Sequence, residues 1–194
     1  MVFLMNGLIN KIISSNQEFA SSVTVDSFKD YQESQSPFIT LVTCCDSRVQ
    51  VEVVNEIAFN KVFVVRNIGN QVLSNEGSVD YGVIHLKTPL LLILGHTDCG
   101  AVKAFMKGYT NEPEPIIREL SRMAPAISQG GGDLLPNIIQ NINYQVQVAV
   151  NKYGNIIKSG RLTVAGALYD FRNELKKGYG KLSLISINGE GQPF

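Results

Sequence analysis

The chain has 194 residues, 44% of them hydrophobic, and its 17 basic and 17 acidic side chains cancel. That length suits one substantial core rather than two, and a balanced charge with no run of one sign excludes a chain that tracks a phosphate backbone, so nucleic acid is not an expected partner. Three cysteines, two of them adjacent, make a poor disulfide framework, because neighbours rarely bridge and one thiol is left over; a reducing, cytoplasmic compartment is expected.

Met1 to Ile13 carries Phe3, Leu4, Leu8, Ile9, Ile12 and Ile13, but Asn6, Asn10 and Lys11 interrupt any signal-peptide core, so the segment reads as an amphipathic helix. Phe38 to Thr43, Lys61 to Val65 and Leu90 to Leu94 are short, nearly continuous β-branched and aliphatic runs, the pattern of strands covered on both faces in a parallel sheet. Ser74 to Lys87, with Val79, Val83 and Leu86 at helical spacing, is the expected crossover helix between the second and third. A helix is expected after Cys99 through Ala101, Val102, Phe105 and Met106, ending by Gly108. Lys107 to Pro136 is rich in proline and glycine, including Gly130-Gly131-Gly132, with room for a short helix over Ile116 to Met123. From Ile138 to Ile157 apolar residues recur every three or four positions and predict a long helix, with Gly160 just past its end. Leu162 to Phe171 and Leu182 to Ile187 close the chain as a further strand and an edge strand. The apolar run Pro89 to Gly95 falls far short of the roughly 20 residues that span a bilayer, so a soluble chain with no membrane partner is expected.

Together these elements predict an α/β fold with a mostly parallel central sheet of about four to five strands, a C-terminal edge strand and flanking helices. The chain is read as a single domain over residues 1–194 with an N-terminal helical arm over about 1–33.

The chemistry concentrates in two strings, Thr43-Cys44-Cys45-Asp46-Ser47-Arg48 and Gly95-His96-Thr97-Asp98-Cys99-Gly100, each at the carboxyl end of an expected strand, where open α/β sheets bind ligands. Cys44, His96 and Cys99 supply two thiolates and one imidazole, three of the four ligands of a tetrahedral zinc, with the fourth position open. Gly95 and Gly100 are expected to let the backbone turn around His96 and Cys99, and the helix start after Cys99 to favour its thiolate. Taken singly, such residues are ordinary buried cysteines and a satisfied core histidine. A closed structural zinc needs a fourth Cys or His, and Cys45 is poorly placed for it: alternate strand residues point to opposite faces, so Cys44 and Asp46 share a direction that Cys45 does not.

Cys-x-Asp-Ser-Arg followed by Gly-His-x-x-Cys-Gly, with Phe63-Val64-Val65-Arg66-Asn67-Ile68-Gly69-Asn70 between them, resembles the β-class carbonic anhydrases over roughly Gln35 to Lys103, with weaker similarity in Leu162 to Tyr169. The resemblance implies one Zn²⁺ per chain on Cys44, His96 and Cys99, an Asp46–Arg48 pair as the catalytic dyad, and reversible hydration of CO₂ to bicarbonate and a proton by zinc-bound hydroxide. A metal with an open position lowers the pKa of water from 15.7 to about 7, which makes such a nucleophile available. An arginine fork keeps Asp46 ionised, so that it accepts the hydroxide's proton and aims the lone pair.

In some members of the family the aspartate itself takes the fourth position, a form associated with a bicarbonate site containing a tryptophan and an arginine. Arg66 matches the arginine, but the chain has no tryptophan, so an open, water-bound zinc is expected. The resemblance places Gln35, Phe63, Ile68, Tyr81 and Gly100 around the substrate, with Gln35 and Tyr81 coming from a partner subunit. A homo-oligomer is therefore implied, a dimer or a multiple of dimers, and Met1 to Ala20 resembles the arm that packs across a partner. Phe63 and Ile68 alone also suit plain core packing, and His85 reads as a packed or surface residue rather than a proton shuttle. Two rivals stand beside CO₂ hydration: hydrolysis of carbonyl sulfide or carbon disulfide on the same scaffold, and a non-catalytic zinc-binding regulatory module, which the presence of both Asp46 and Arg48 argues against.

Overall fold

The computed structural model describes residues 2–56, 58–127 and 132–194, so Gly130 and Gly131 of the expected glycine-rich turn lie outside the described residues. The chain separates into two compact units, one ending at Ser36 and one running from Pro37 to Phe194. The first is helix α1 (Val2–Ser22) followed by two single 3₁₀ turns, Val25–Ser27 and Lys29–Tyr31. Along α1 the apolar side chains Leu8, Ile9, Ile12 and Ile13 are all more than half exposed, at 58%, 52%, 68% and 53%.

The second unit is built on one sheet. Strands β1 (Ile39–Cys44), β2 (Val62–Asn67), β3 (Leu90–His96) and β4 (Thr163–Asp170) run parallel, while β5 (Lys181–Ile187) and β6 (Glu190–Gly191) are antiparallel additions. The spatial order is β2-β1-β3-β4-β5-β6, six strands among the described residues, against an expected sheet of about four to five with a C-terminal edge strand. The extra one is a two-residue ribbon after Asn188 (φ 49°) and Gly189 (φ 89°), whose left-handed conformations make the tight turn of a hairpin. The strand at Leu182 to Ile187 is therefore not the outermost along its whole length: β6 covers it at Ser186 and Ile187.

Buried apolar side chains alternate across the sheet. On one face Val42, Val65, Leu91, Ile93 and Val164 pack against Val79 and Val83 of the crossover and against Val146, Ala149 and Tyr153. On the other, Leu41, Leu92, Leu94, Ala165 and Ala167 pack with Val49, Val51, Val53 and Val54. The crossover is a short helix α2 (Glu76–Asp80) that continues as a π-helical turn, Tyr81–His85. Helices α3 (Gly100–Lys107) and α4 (Glu114–Ser121) precede α5 (Leu134–Lys158), which starts before Pro136, a residue the first turn of a helix tolerates. Among the described residues no helix is long and apolar enough to cross a membrane.

The buried face of α5 is not purely apolar. Asn141 and Gln145 sit on it between Ile138, Ile142 and Val146, and hold the loop that leaves β2. Asn141 Nδ2 donates to the Gly69 carbonyl at 2.9 Å, and the Val72 N–H donates to Gln145 Oε1 at 2.9 Å. Asn67 closes the loop on itself, its amide donating to the Gln71 carbonyl and accepting from the Gln71 N–H, each at 2.7 Å. Gly95 on β3 makes close approach possible, since a Cβ there would meet Ile142 at 2.6 Å.

Candidate metal centre

Parallel pairing of β1 with β3 in the register Thr43↔Leu94 brings Cys44 and His96, the last residues of their strands, to the same end of the sheet. Cys99 follows as the capping residue immediately before α3. The turn joining them is made by Asp98 at φ 64°, whereas neither Gly95 nor Gly100 adopts a left-handed conformation. The expected role of those glycines in turning the chain is thus corrected. Aspartate is among the few residues that enter this region readily, and Gly95 serves instead to admit Ile142.

The Cys44 and Cys99 sulfurs and a ring nitrogen of His96 all lie within 4.8 Å of one another, and all three residues are buried. His96 Nδ1 lies 2.8 Å from the Thr97 carbonyl, and a carbonyl only accepts, so the proton sits on Nδ1 and Nε2 keeps its lone pair. That Nε2 is buried without a hydrogen-bond partner among the described residues. A buried polar atom in that state is costly, and a cation held together with the two sulfurs would supply the partner it lacks. The donor set of two thiols and one imidazole, closed on one side by protein, fits a zinc ion.

The two thiols differ. A hydrogen bond from the Cys99 thiol pulls Cys44 down to about 4 against the opposing effect of burial, with help from the N–H groups of Gly69 and Asp46. Cys99 is pushed well up by the same hydrogen bond and by burial, although the N–H groups of Val102 and Ala101 at the start of α3 act the other way. The helix terminus does not by itself make Cys99 the thiolate, because the hydrogen bond to Cys44 and burial outweigh it. A divalent cation held by Cys44 and Cys99 would take over the stabilising role of the shared proton. Gly69 must be glycine: its φ is +84° and a Cβ would meet Met123 Sδ at 2.9 Å. Cys45 is exposed and takes no part in the group, as strand alternation predicts.

Asp46 stands beside the cluster, with Oδ2 3.9 Å from His96 Nε2. Arg48 grips it with two prongs, Nε to Oδ1 at 2.9 Å and Nη2 to Oδ2 at 2.7 Å, and adds its backbone N–H to Oδ1 at 3.0 Å. This bonding holds the carboxyl at about 2, well below the usual carboxylate range. Arg48 is itself held: Nη1 reaches Asp98 Oδ2 at 3.0 Å, and its guanidinium carbon lies 4.7 Å from the centroid of the Phe171 ring. Asp98 is bonded in turn by Arg172 at 2.6 Å and by Lys103. Sequence reasoning did not single out Asp98, Phe171 or Arg172. The available signal is register: β4 neighbours β3 with Tyr169 opposite His96, so the residues just beyond Tyr169 come level with the ligands.

Of the expected pocket, Ile68 packs in the cluster that holds Cys44 and Cys99, and a Cβ on Gly100 would meet nothing within 4 Å. Phe63 and Tyr81 pair with each other, ring centroids 5.8 Å apart, and Phe63 lies opposite Thr40, four positions before the Cys44↔Asn67 pair. At about 3.3 Å per strand residue that is roughly 13 Å down the sheet. Within one chain they do not reach the ligands, and Gln35 belongs to the unit that ends at Ser36. His85 is exposed with its ring 4.5 Å from that of Tyr81. Arg66 donates to the Val49 carbonyl and, with Leu41 and Val64, lines a small cavity.

Comparison with known proteins gives a consistent picture. The family model described as carbonic anhydrase matches residues 39–175. A carbonic anhydrase of Mycolicibacterium smegmatis is 31% identical over 168 residues, covering 79% of this chain and 81% of that protein. A Coccomyxa β-carbonic anhydrase solved with acetazolamide superposes with a TM-score of 0.72 at 25% identity, over 93% of this chain and 86% of the other. One of two tetrameric β-carbonic anhydrases from Sordaria macrospora superposes with a TM-score of 0.77 at 20% identity, over 93% and 98%, a likeness of fold.

Proposed function

The chain belongs to the β-class carbonic anhydrase family, and from that premise we propose that it hydrates CO₂ reversibly to bicarbonate and a proton, using one zinc ion held by Cys44, His96 and Cys99. The observation that carries this reading is the unpartnered, buried Nε2 of His96 facing two thiols, with the Asp46–Arg48 pair beside it. When bound, the metal supplies a Lewis acid that brings the pKa of water to about 7. The protein's own part is to place and orient. Both oxygens of Asp46 are engaged by Arg48, so Asp46 stays ionised, lies outside the metal's ligand set and accepts a hydrogen bond from the attacking water, directing the water's lone pair at the carbon. Ile68, packed with Cys44 and Cys99, and the bare Gly100 take the substrate positions the family resemblance gives them, and the Gly100 N–H is available to a substrate oxygen.

A second copy of the chain completes the pocket with Gln35 and Tyr81, and Phe63 travels with Tyr81 because their rings are paired. In this reading residues 37–194 form the catalytic body and residues up to about 33 an arm that packs on the partner; the exposed apolar side chains of α1 support it. All three cysteines are free, which supports a reducing, cytoplasmic setting.

Zinc content and stopped-flow CO₂ hydration on the purified protein, beside sulfide release from carbonyl sulfide, test the proposal. About one zinc per chain with fast hydration is expected. Negligible hydration with brisk sulfide release would move the activity to carbonyl sulfide, and zinc without either reaction would leave a binding module.

A further inference from the structure

Asp98 has no place in the chemistry above, yet three cations converge on its carboxylate: Arg48 Nη1 at 3.0 Å, Arg172 Nη1 at 2.6 Å, and Lys103. We propose that Asp98 is a positioning residue which, backed by Arg172 and Lys103, fixes Arg48 on the Phe171 ring so that Arg48 keeps both prongs on Asp46. The inference rests on the proposed function, because the purpose of that grip is to hold Asp46 as a hydrogen-bond acceptor beside the metal rather than on it.

The need for an anchor follows from exposure. The Arg48 side chain is 46% exposed, and an ion pair between neighbours in water is weak, since solvent competes for both partners and the long side chain loses freedom. Asp46 alone therefore does not fix the guanidinium. Asp98 takes Nη1, the terminal nitrogen that Asp46 leaves free, and its backbone carbonyl accepts a further bond from Nη2 at 3.3 Å. Phe171 covers one face of the guanidinium at 4.7 Å, and its ring lies nearly parallel to that of His96 at a centroid distance of 6.0 Å. One aromatic ring thus ties the arginine to a metal ligand. The left-handed backbone of Asp98, φ 64°, makes the turn that carries its carboxylate to Arg48, and strained backbone of this kind persists where the surroundings over-determine it.

Asp98→Asn is the informative change, because asparagine keeps the size, tolerates the left-handed conformation and removes only the charge. Measured on the zinc enzyme, kcat is expected to fall about tenfold with zinc content and the KM for CO₂ unchanged. The decisive comparison is with Arg48→Gln: if Asp98 acts through Arg48, the double variant matches Arg48→Gln alone to within about twofold. The cobalt-substituted protein gives a readout apart from turnover, its visible bands in Asp98→Asn moving toward those of Arg48→Gln. Additive losses in the double variant, or wild-type kcat and cobalt bands in Asp98→Asn, would overturn the proposal. Should Asp98→Asn lose metal, Arg172→Gln decides by the same comparison, with a smaller loss that vanishes in the Arg48→Gln background; a loss that persists there counts against the idea. Absence of CO₂ hydration in the unmodified enzyme would refute the proposed function separately, while the cobalt bands still report whether Asp98 holds Arg48.

Discussion

The two supports around the metal donors are built from opposite materials. Beneath Gly69 and Ile68 the support is neutral and buried: Asn67, Gln71, Asn141 and Gln145, joined by hydrogen bonds between amides and backbone. At the rim it is ionic and partly wet: Asp46 and Asp98 bridged by Arg48 and backed by Lys103 and Arg172. A buried amide network fixes geometry and is expensive to break, because each orphaned group loses its only partner. An exposed ionic network contributes little to stability, yet it decides which charges stand next to the reacting atoms. The inner wall is therefore expected to matter for folding and the rim for chemistry.

The sharpest way to break this division is at the rim. Replacing Asp46 with Ala removes the group that orients the attacking water, and kcat is expected to drop at least about 100-fold, a loss of the size seen when a positioned catalytic group is removed. Zinc should stay near one per chain, and unfolding in urea should change by no more than about 1 kcal/mol. A variant that turns over normally would remove Asp46 from the mechanism; one that unfolds easily would show the rim to be structural after all.

The inner wall should fail the other way. Gln145→Leu leaves the Val72 N–H and the Asn141 side-chain oxygen without their present partners, at a cost of about 2–3 kcal/mol. Turnover per folded molecule should change far less than in Asp46→Ala. A large loss of kcat at unaltered stability would mean that the loop from Asn67 to Val72 takes part in catalysis directly.

This contrast also marks where the sequence was legible. Strands β1 and β3 and helix α5 are written in apolar runs and a regular period, and ligands at strand ends follow from them, so Cys44, His96 and Cys99 could be picked out unaided. The polar residues of the inner wall leave no mark in a pattern made of apolar residues; yet Asn141 and Gln145 fall three to four positions from Ile138, Ile142 and Ala149, on the stripe that α5 buries. Strand β2 runs on to Arg66 and Asn67, whose polarity hid its end. The last ribbon was signalled by Asn188-Gly189, a hairpin dipeptide, but it is too short to leave a hydrophobic pattern. Asp98 was hidden for another reason: its partners Arg48 and Arg172 are far away in the chain, and only the folded register brings the three together.

The smallest expected effect separates the two supports by their response to solution conditions. Arg48 lowers the Asp46 pKa to about 2, below the unfolded value of about 3.9, so any stability Asp46 contributes is fully present above about 4 and is lost as pH falls toward 2. Between pH 5 and 9 the stability difference between wild type and Asp46→Asn should therefore be flat. An acid limb of kcat in that range belongs to the metal site and not to Asp46. Salt should act where pH does not. The screening length shrinks from about 10 Å at 0.1 M to about 3 Å at 1 M, so the difference due to Asp46→Asn, at most about 1 kcal/mol, should decline across that range. The difference due to Gln145→Leu involves no charge and should hold constant. Urea unfolding of the three proteins at both salt concentrations reads this directly, and a Gln145→Leu difference that shrank in parallel would show that the inner wall leans on the charges of the rim.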